Sequence, residues 1–193
     1  MAAEIPTRVP EASVESSASG VEWAAITGGA LAAIGITIIL LALGPGLGLA
    51  TVTPWSFGAS PPAAFGIAGG IWLIVTQWLS SGLGGYLAGR LRKKWVGVRT
   101  DEVFFRDTAH GFLAWALATA IMAALITLAA AITAAAAASA TATTGTPAVT
   151  PEAAEAARKA AMGFSFYSSL SLLIGAFIGC VSGALGGYHR DDD

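Results

Sequence analysis

Residues 164–190 read FSFYSSLSLLIGAFIGCVSGALGGYHR, and from Phe164 to Leu185 they hold no Asp, Glu, Lys or Arg. A helix rising ~1.5 Å per residue crosses a hydrocarbon core of ~30 Å within such a run. Without water, the run must satisfy its own backbone as a helix. It is too long for a strand and does not alternate. Within it, Gly175, Gly179, Gly183 and Gly187 recur at every fourth position, which puts them on nearly one helix face. Lipid is as apolar as leucine, so a face of small residues packs helices by letting their backbones approach.

The run ends on LGGY (185–188), and the same four letters stand at 83–86 inside LGGYLAGRLR (83–92). There Ser81, Gly85 and Gly89 keep the every-fourth spacing, with Gly66 and Gly70 before them. Three more charge-free runs precede the last: roughly 23–43, 63–87 and 111–133. The chain of 193 residues is 55% hydrophobic and 11% charged, against about 25% charged for a soluble domain. The fold class expected is an all-α, integral membrane four-helix bundle. A shift of 102 residues aligns the two LGGY copies and sets Ser81 on Gly183 and Gly85 on Gly187. A shift of 82 sets Gly29 on Gly111 and Thr37 on Thr119. These matches suggest two tandem transmembrane hairpins, a parallel 2+2 repeat found in transporters and in inert bundles alike.

Lys and Arg orient the bundle. Arg90, Arg92, Lys93, Lys94, Arg99 and Arg106, six of ten basic residues, fall in the 88–110 connection. That connection is therefore expected in the cytoplasm of a bacterial inner-membrane protein, with both termini beside it. Trp23, Trp55 and Trp95 lie at predicted boundaries, where amphipathic rings are favoured. Residues 1–20 read as a disordered tail and 191–193 as an acidic one. The segment 44–62 reads as a turn-rich outer loop. The other outer connection, 134–163, reads instead as a helical hairpin projecting outward, with a loose Ala/Thr-rich loop as the alternative. Its alanines are strong helix formers, Thr150 and Pro151 supply a cap and first turn, and Glu155 stands four residues before Lys159. Thr100, followed by Asp101 and Glu102, offers a similar start before the third span.

The chain shows little chemistry. Gln77, with Thr76 beside it, is the most polar side chain within a span. An interhelical hydrogen bond is the leading role, and a pore or ligand site the alternative. Serines 165, 168, 169 and 171 can bond back to their own helix. No intramembrane carboxylate or base is present to carry protons. Asp107 and His110, beside Arg106, could orient each other for acid–base work or share a metal. No third ligand or nucleophile accompanies them, so they read as a polar patch ending the span. The single cysteine, Cys180, permits no intrachain disulfide. No catalytic residue, cofactor or metal is assigned, and no basic cluster suits nucleic acid.

Residues 71–98 (IWLIVTQWLSSGLGGYLAGRLRKKWVGV), 99–115 (RTDEVFFRDTAHGFLAW) and 41–49 (LALGPGLGL) resemble a group of small four-span membrane proteins of alphaproteobacteria, some labelled "PhnA-like". The resemblance covers about residues 23–130. It implies an inner-membrane location and no established activity, and it carries over no functional residue. The functional expectation is a non-enzymatic membrane protein, self-associating or serving as an accessory subunit through its glycine faces. A passive channel or small permease, with Gln77 in its pore, is the alternative. Membrane lipid, with anionic headgroups expected at the basic loop, and either a second copy of the chain or another membrane protein are the expected partners.

Overall fold

The computed structural model describes residues 20–50, 62–94, 99–144 and 150–192. They form four helices: α1 (Trp23–Ala50), α2 (Pro62–Leu91), α3 (Thr100–Thr144) and α4 (Pro151–Asp192). No strand occurs among the described residues. All four helices are long and apolar enough to cross a membrane, and the chain is a multi-pass membrane protein built as an all-α bundle.

Its packing is inverted relative to a soluble protein. The buried apolar residues are alanines, Ala25, Ala30, Ala33, Ala88, Ala114 and Ala118, with Ile26 alone among them as a larger side chain. Bulky residues such as Leu173, Phe177 and Phe166 are about two-thirds exposed. In water such a surface would be an enormous apolar patch; in lipid it is solvated, and only small residues are needed between helices. Around the bundle the order is α1, α2, α4, α3. The helices α2 and α3 also touch across the middle, and α1 does not meet α4 among the described residues.

Three elements run further than the hydropathy alone implies. From sequence the first outer loop begins at Gly44, yet α1 continues through Pro45 to Ala50. Proline removes one backbone donor and crowds the carbonyl of Leu41, which membrane helices tolerate when neighbours satisfy the freed groups. Beside that carbonyl, Trp72 Nε1 of α2 donates to the Leu40 oxygen at 3.0 Å. The third helix has 45 residues and the fourth 42, or roughly 67 and 63 Å. Thr150 caps α4, its Oγ1 accepting from Ala153 N at 3.2 Å. Glu155 then reaches Arg158 at 2.8 Å and Lys159 at 3.5 Å. Every residue from Ala123 to Ser139 and from Pro151 to Met162 is exposed. Trp23 sits exposed at the start of α1. Trp55, Trp95, most of the 44–62 loop and residues 1–19 lie outside the described residues.

Not every glycine is held by packing. A methyl at Gly35 or Gly163 would meet nothing within 4 Å, so only the helix propensity of glycine counts there. Gly35→Ala and Gly163→Ala are expected to leave the melting temperature unchanged or raise stability by up to ~1 kcal/mol, read by thermal unfolding in detergent.

Candidate functional site

Among the described residues the buried ionisable side chains, Arg92, Asp107 and His110, gather at one end of the bundle, where α1 and α3 begin and α2 and α4 finish. Asp107 of α3 is the centre. Arg92, just past α2, donates Nε to Asp107 Oδ1 at 2.7 Å and brings its terminal nitrogen within 2.6 Å. Arg190 of α4 approaches the same oxygen at 3.2 Å, and also binds Asp191 and the Gly89 carbonyl. The Arg92 side chain is fully covered and that of Asp107 only 3% exposed. Burial pulls the Arg92 guanidinium below its ordinary pKa against the opposing hold of Asp107, but arginine remains charged. One carboxylate thus ties three helix ends together.

The fourth end is tied through His110. Its Nε2 accepts the Glu22 N–H at 2.9 Å, and Nδ1 lies 2.6 Å from the Arg106 carbonyl. A carbonyl only accepts, so the proton sits on Nδ1 and the imidazole is neutral. The Glu22 carboxylate in turn accepts from Lys93 N at 2.7 Å. From sequence, Asp107 and His110 read as a polar patch ending the span and Arg92 as part of the cytoplasmic basic loop; the structure buries all three. The reason is partnership, since a charge that finds its counter-ion and hydrogen bonds can leave water. Of the remaining basic residues, Lys93, Lys94 and Arg99 are exposed, Arg90 is half-buried, and Arg106 pairs with Glu102 one turn earlier at 2.6 Å.

Next to this cluster lies a seam of backbone contacts. Gly175, Gly179, Gly183 and Gly187 are all buried and form a ridge wedged between α2 and α3. A methyl on Gly85 would strike the Gly179 carbonyl, and one on Gly89 the Gly183 carbonyl. From the α3 side, a methyl on Gly183 would lie 2.6 Å from the Asp107 carbonyl and 2.8 Å from Gly111 Cα. Gly187 faces the Asp107 carboxylate itself. Gly29 of α1 meets Gly84 of α2 in the same manner. The glycine ridge is therefore occupied inside the single chain. Ser81, buried at the same spacing on α2, lies one turn above Gly85.

Above the seam the helices part around a cavity of about 250 Å³. Gln77 and Thr76 both line it. Gln77 has as its one described hydrogen bond a long contact, 3.4 Å, to Ser81 Oγ on its own helix, and its side chain rests on Gly175. The interhelical bond is supplied instead by Ser171, which donates to the Leu73 carbonyl at 3.0 Å. Sequence reasoning assigns Ser171 to its own helix; the close approach of α2 and α4 over the glycines brings a foreign carbonyl nearer. Arg190, Glu22 and Trp115 are the participants that spacing alone does not single out. Among the described residues, no three His, Cys, Asp or Glu come together as metal ligands. Compared with known protein families, curated proteins and solved structures, the chain matches none.

Proposed function

We propose that this chain is a non-enzymatic protein of the bacterial inner membrane that works by holding on to another membrane protein, a second copy of itself included. The observation that carries this reading is the pair of bare helical arms. Counting ~20 residues to cross the hydrocarbon from the charged end, α3 and α4 each extend roughly 20 Å further, and every described residue on both arms from Ala131 to Ser139 and from Pro151 to Met162 is exposed. The glycine ridge, which the sequence offers as the association surface, is spent inside the bundle, so it supports rigidity and leaves association to the arms. The locked charged end makes a stiff base for them.

Exposed Lys93, Lys94 and Arg99 at that end support a cytoplasmic placement of both termini, with the arms outside. Anionic headgroups are the natural neighbours of those three cations, each worth about 1 kcal/mol near the surface. Pairing of Gly29 with Gly84 and of Gly111 with Gly179 supports two tandem hairpins, because the matched positions Gly29 and Gly111 do the same job in each half. Photocrosslinking residues placed at Ala134 and Ala156 in native membranes are expected to give discrete adducts, whereas the same residue at lipid-facing Phe177 should give none. Absence of adducts from both arm positions would refute association through them.

A further inference from the structure

We propose that the cavity between the four helices is a binding site for a small uncharged molecule bearing carbonyl oxygens on an apolar body. It rests on the cavity alone and not on association, since a chain that bound no protein could still hold such a ligand.

The cavity begins above the seam and widens away from the charged end. Its deep wall holds Thr76, Ser80 and Ser81, each at most 3% exposed. Its rim holds Leu41, Ile126 and Phe164, all exposed. By helix rise, Trp115 lies ~12 Å beyond Asp107 and Ile126 ~28 Å beyond it, so the site reaches from mid-bilayer to the far surface.

The hydrogen-bonding groups around it divide into spent and unspent. Ser80 donates to the Thr76 carbonyl, Ser171 to Leu73 and Thr37 to Ala33. Thr76 Oγ1 and Trp115 Nε1 are buried and have no partner, and Thr76 is only 3% exposed. Buried polar groups are nearly always paired in native proteins, and an indole N–H can only donate. A partner for the indole must therefore supply an acceptor, and the Thr76 hydroxyl is able to donate to a second one. Among the described residues none lining the cavity carries a formal charge, so a carboxylate, phosphate or metal ion would enter without a counter-ion. Gln77, Ser81, Thr119 and Ser168 also line the cavity, and the rest of its wall is carbon, from residues such as Leu73, Met122, Leu172 and the Trp115 ring. At ~30 Å³ each, about eight waters would fill the volume, but each needs two to four polar partners. These walls offer too few. A neutral carbonyl compound meets both demands, with oxygens on the two free donors and carbon against carbon elsewhere.

The test is calorimetric titration of the full chain in nanodiscs with a short-chain benzoquinone, which pairs two carbonyls with a flat apolar ring. Empty nanodiscs supply the blank. Benzoate, a similar body with charge, and glycerol, oxygen without the body, serve as counter-probes. Saturable quinone binding at one per chain is expected, with no saturable binding of either counter-probe. Thr76→Val, which keeps shape and removes the hydroxyl, and Trp115→Phe, which removes the indole N–H together with part of the ring wall, should each weaken binding about three- to tenfold, and Thr76→Ser should bind as the parent does. The proposal is overturned if quinone uptake does not exceed that of empty discs, if both donor-removing variants bind as the parent does, or if glycerol binds where quinone does not.

Discussion

Gly183→Leu is expected to prevent the bundle from closing. A side chain there would start 2.6 Å from the Asp107 carbonyl, 2.8 Å from Gly111 Cα and 2.9 Å from its nitrogen. All three atoms belong to the α3 backbone, so no rotamer change relieves the overlap. On the α2 side, Gly89 reaches the Gly183 carbonyl just as closely. Two helices must therefore retreat together, and with them go the contacts of Gly179 and Gly187. Overpacking a core ordinarily costs about 1–3 kcal/mol because side chains can yield. Here the yielding parts are helices, and the loss should exceed that range and consume most of a typical stability of about 5–15 kcal/mol. Gly183→Ala should fall between the leucine variant and the parent. Gly175→Ala should be milder, since its neighbour is the movable end of Gln77, and Gly35→Ala is the matched control. Thermal unfolding in detergent ranks the series. A Gly183→Leu protein melting with the parent would show that the α2–α4–α3 seam does not exist.

That ranking could not be drawn from spacing. The every-fourth row at 175–187 reveals a shared face, because helix period is a local property. It does not reveal that Gly183 has backbone on both sides whereas Gly175 has an amide. The four spans were legible for the same local reason: hydropathy and the absence of charge act residue by residue. Thr150 was legible as a cap because a cap needs only the next three residues, and its Oγ1 indeed accepts from Ala153. The ionic cluster was not. Arg92 lies 15 residues from Asp107, and Arg190 lies 83. Nothing in either neighbourhood distinguishes a buried arginine from one that merely marks a cytoplasmic loop. Orientation rules count cations and ignore their partners, so Arg92 reads as Lys93 does although one is covered and the other exposed. Pro45 is the opposite case, since its local signal to end the helix is strong and yet α1 runs on to Ala50. The cavity was invisible, because Thr76 and Trp115 sit on different helices and only the fold brings them to one space.

Asp107→Ala is expected to cost about 3–5 kcal/mol, the loss typical when one partner of a buried ion pair is removed. Two features place it at the upper end. The carboxylate serves two guanidiniums, and Arg92 has no exposed surface through which to recover water. Arg190 keeps Asp191 and the Gly89 carbonyl, so the damage should fall mainly on the short Arg92–Asp107 contact and on the α2–α3 connection. Two further variants separate charge from shape. Arg92→Leu combined with Asp107→Leu removes both charges of the pair, and it should recover part of the loss, because a buried pair replaced by apolar groups is often tolerated. Asp107→Glu keeps the charge but lengthens the side chain toward Gly187, whose Cα position already faces the carboxylate, and should be destabilising for want of room. If the double leucine variant proves no more stable than Asp107→Ala, the cost lies in lost packing and not in an orphaned charge. If Asp107→Ala melts with the parent, the three helix ends are held by the glycine seam alone. The last glycine of the ridge links the two devices. Gly187 is small because the carboxylate lies against it, so the charge lock and the backbone seam are one continuous contact surface, and a change in either is expected to loosen both.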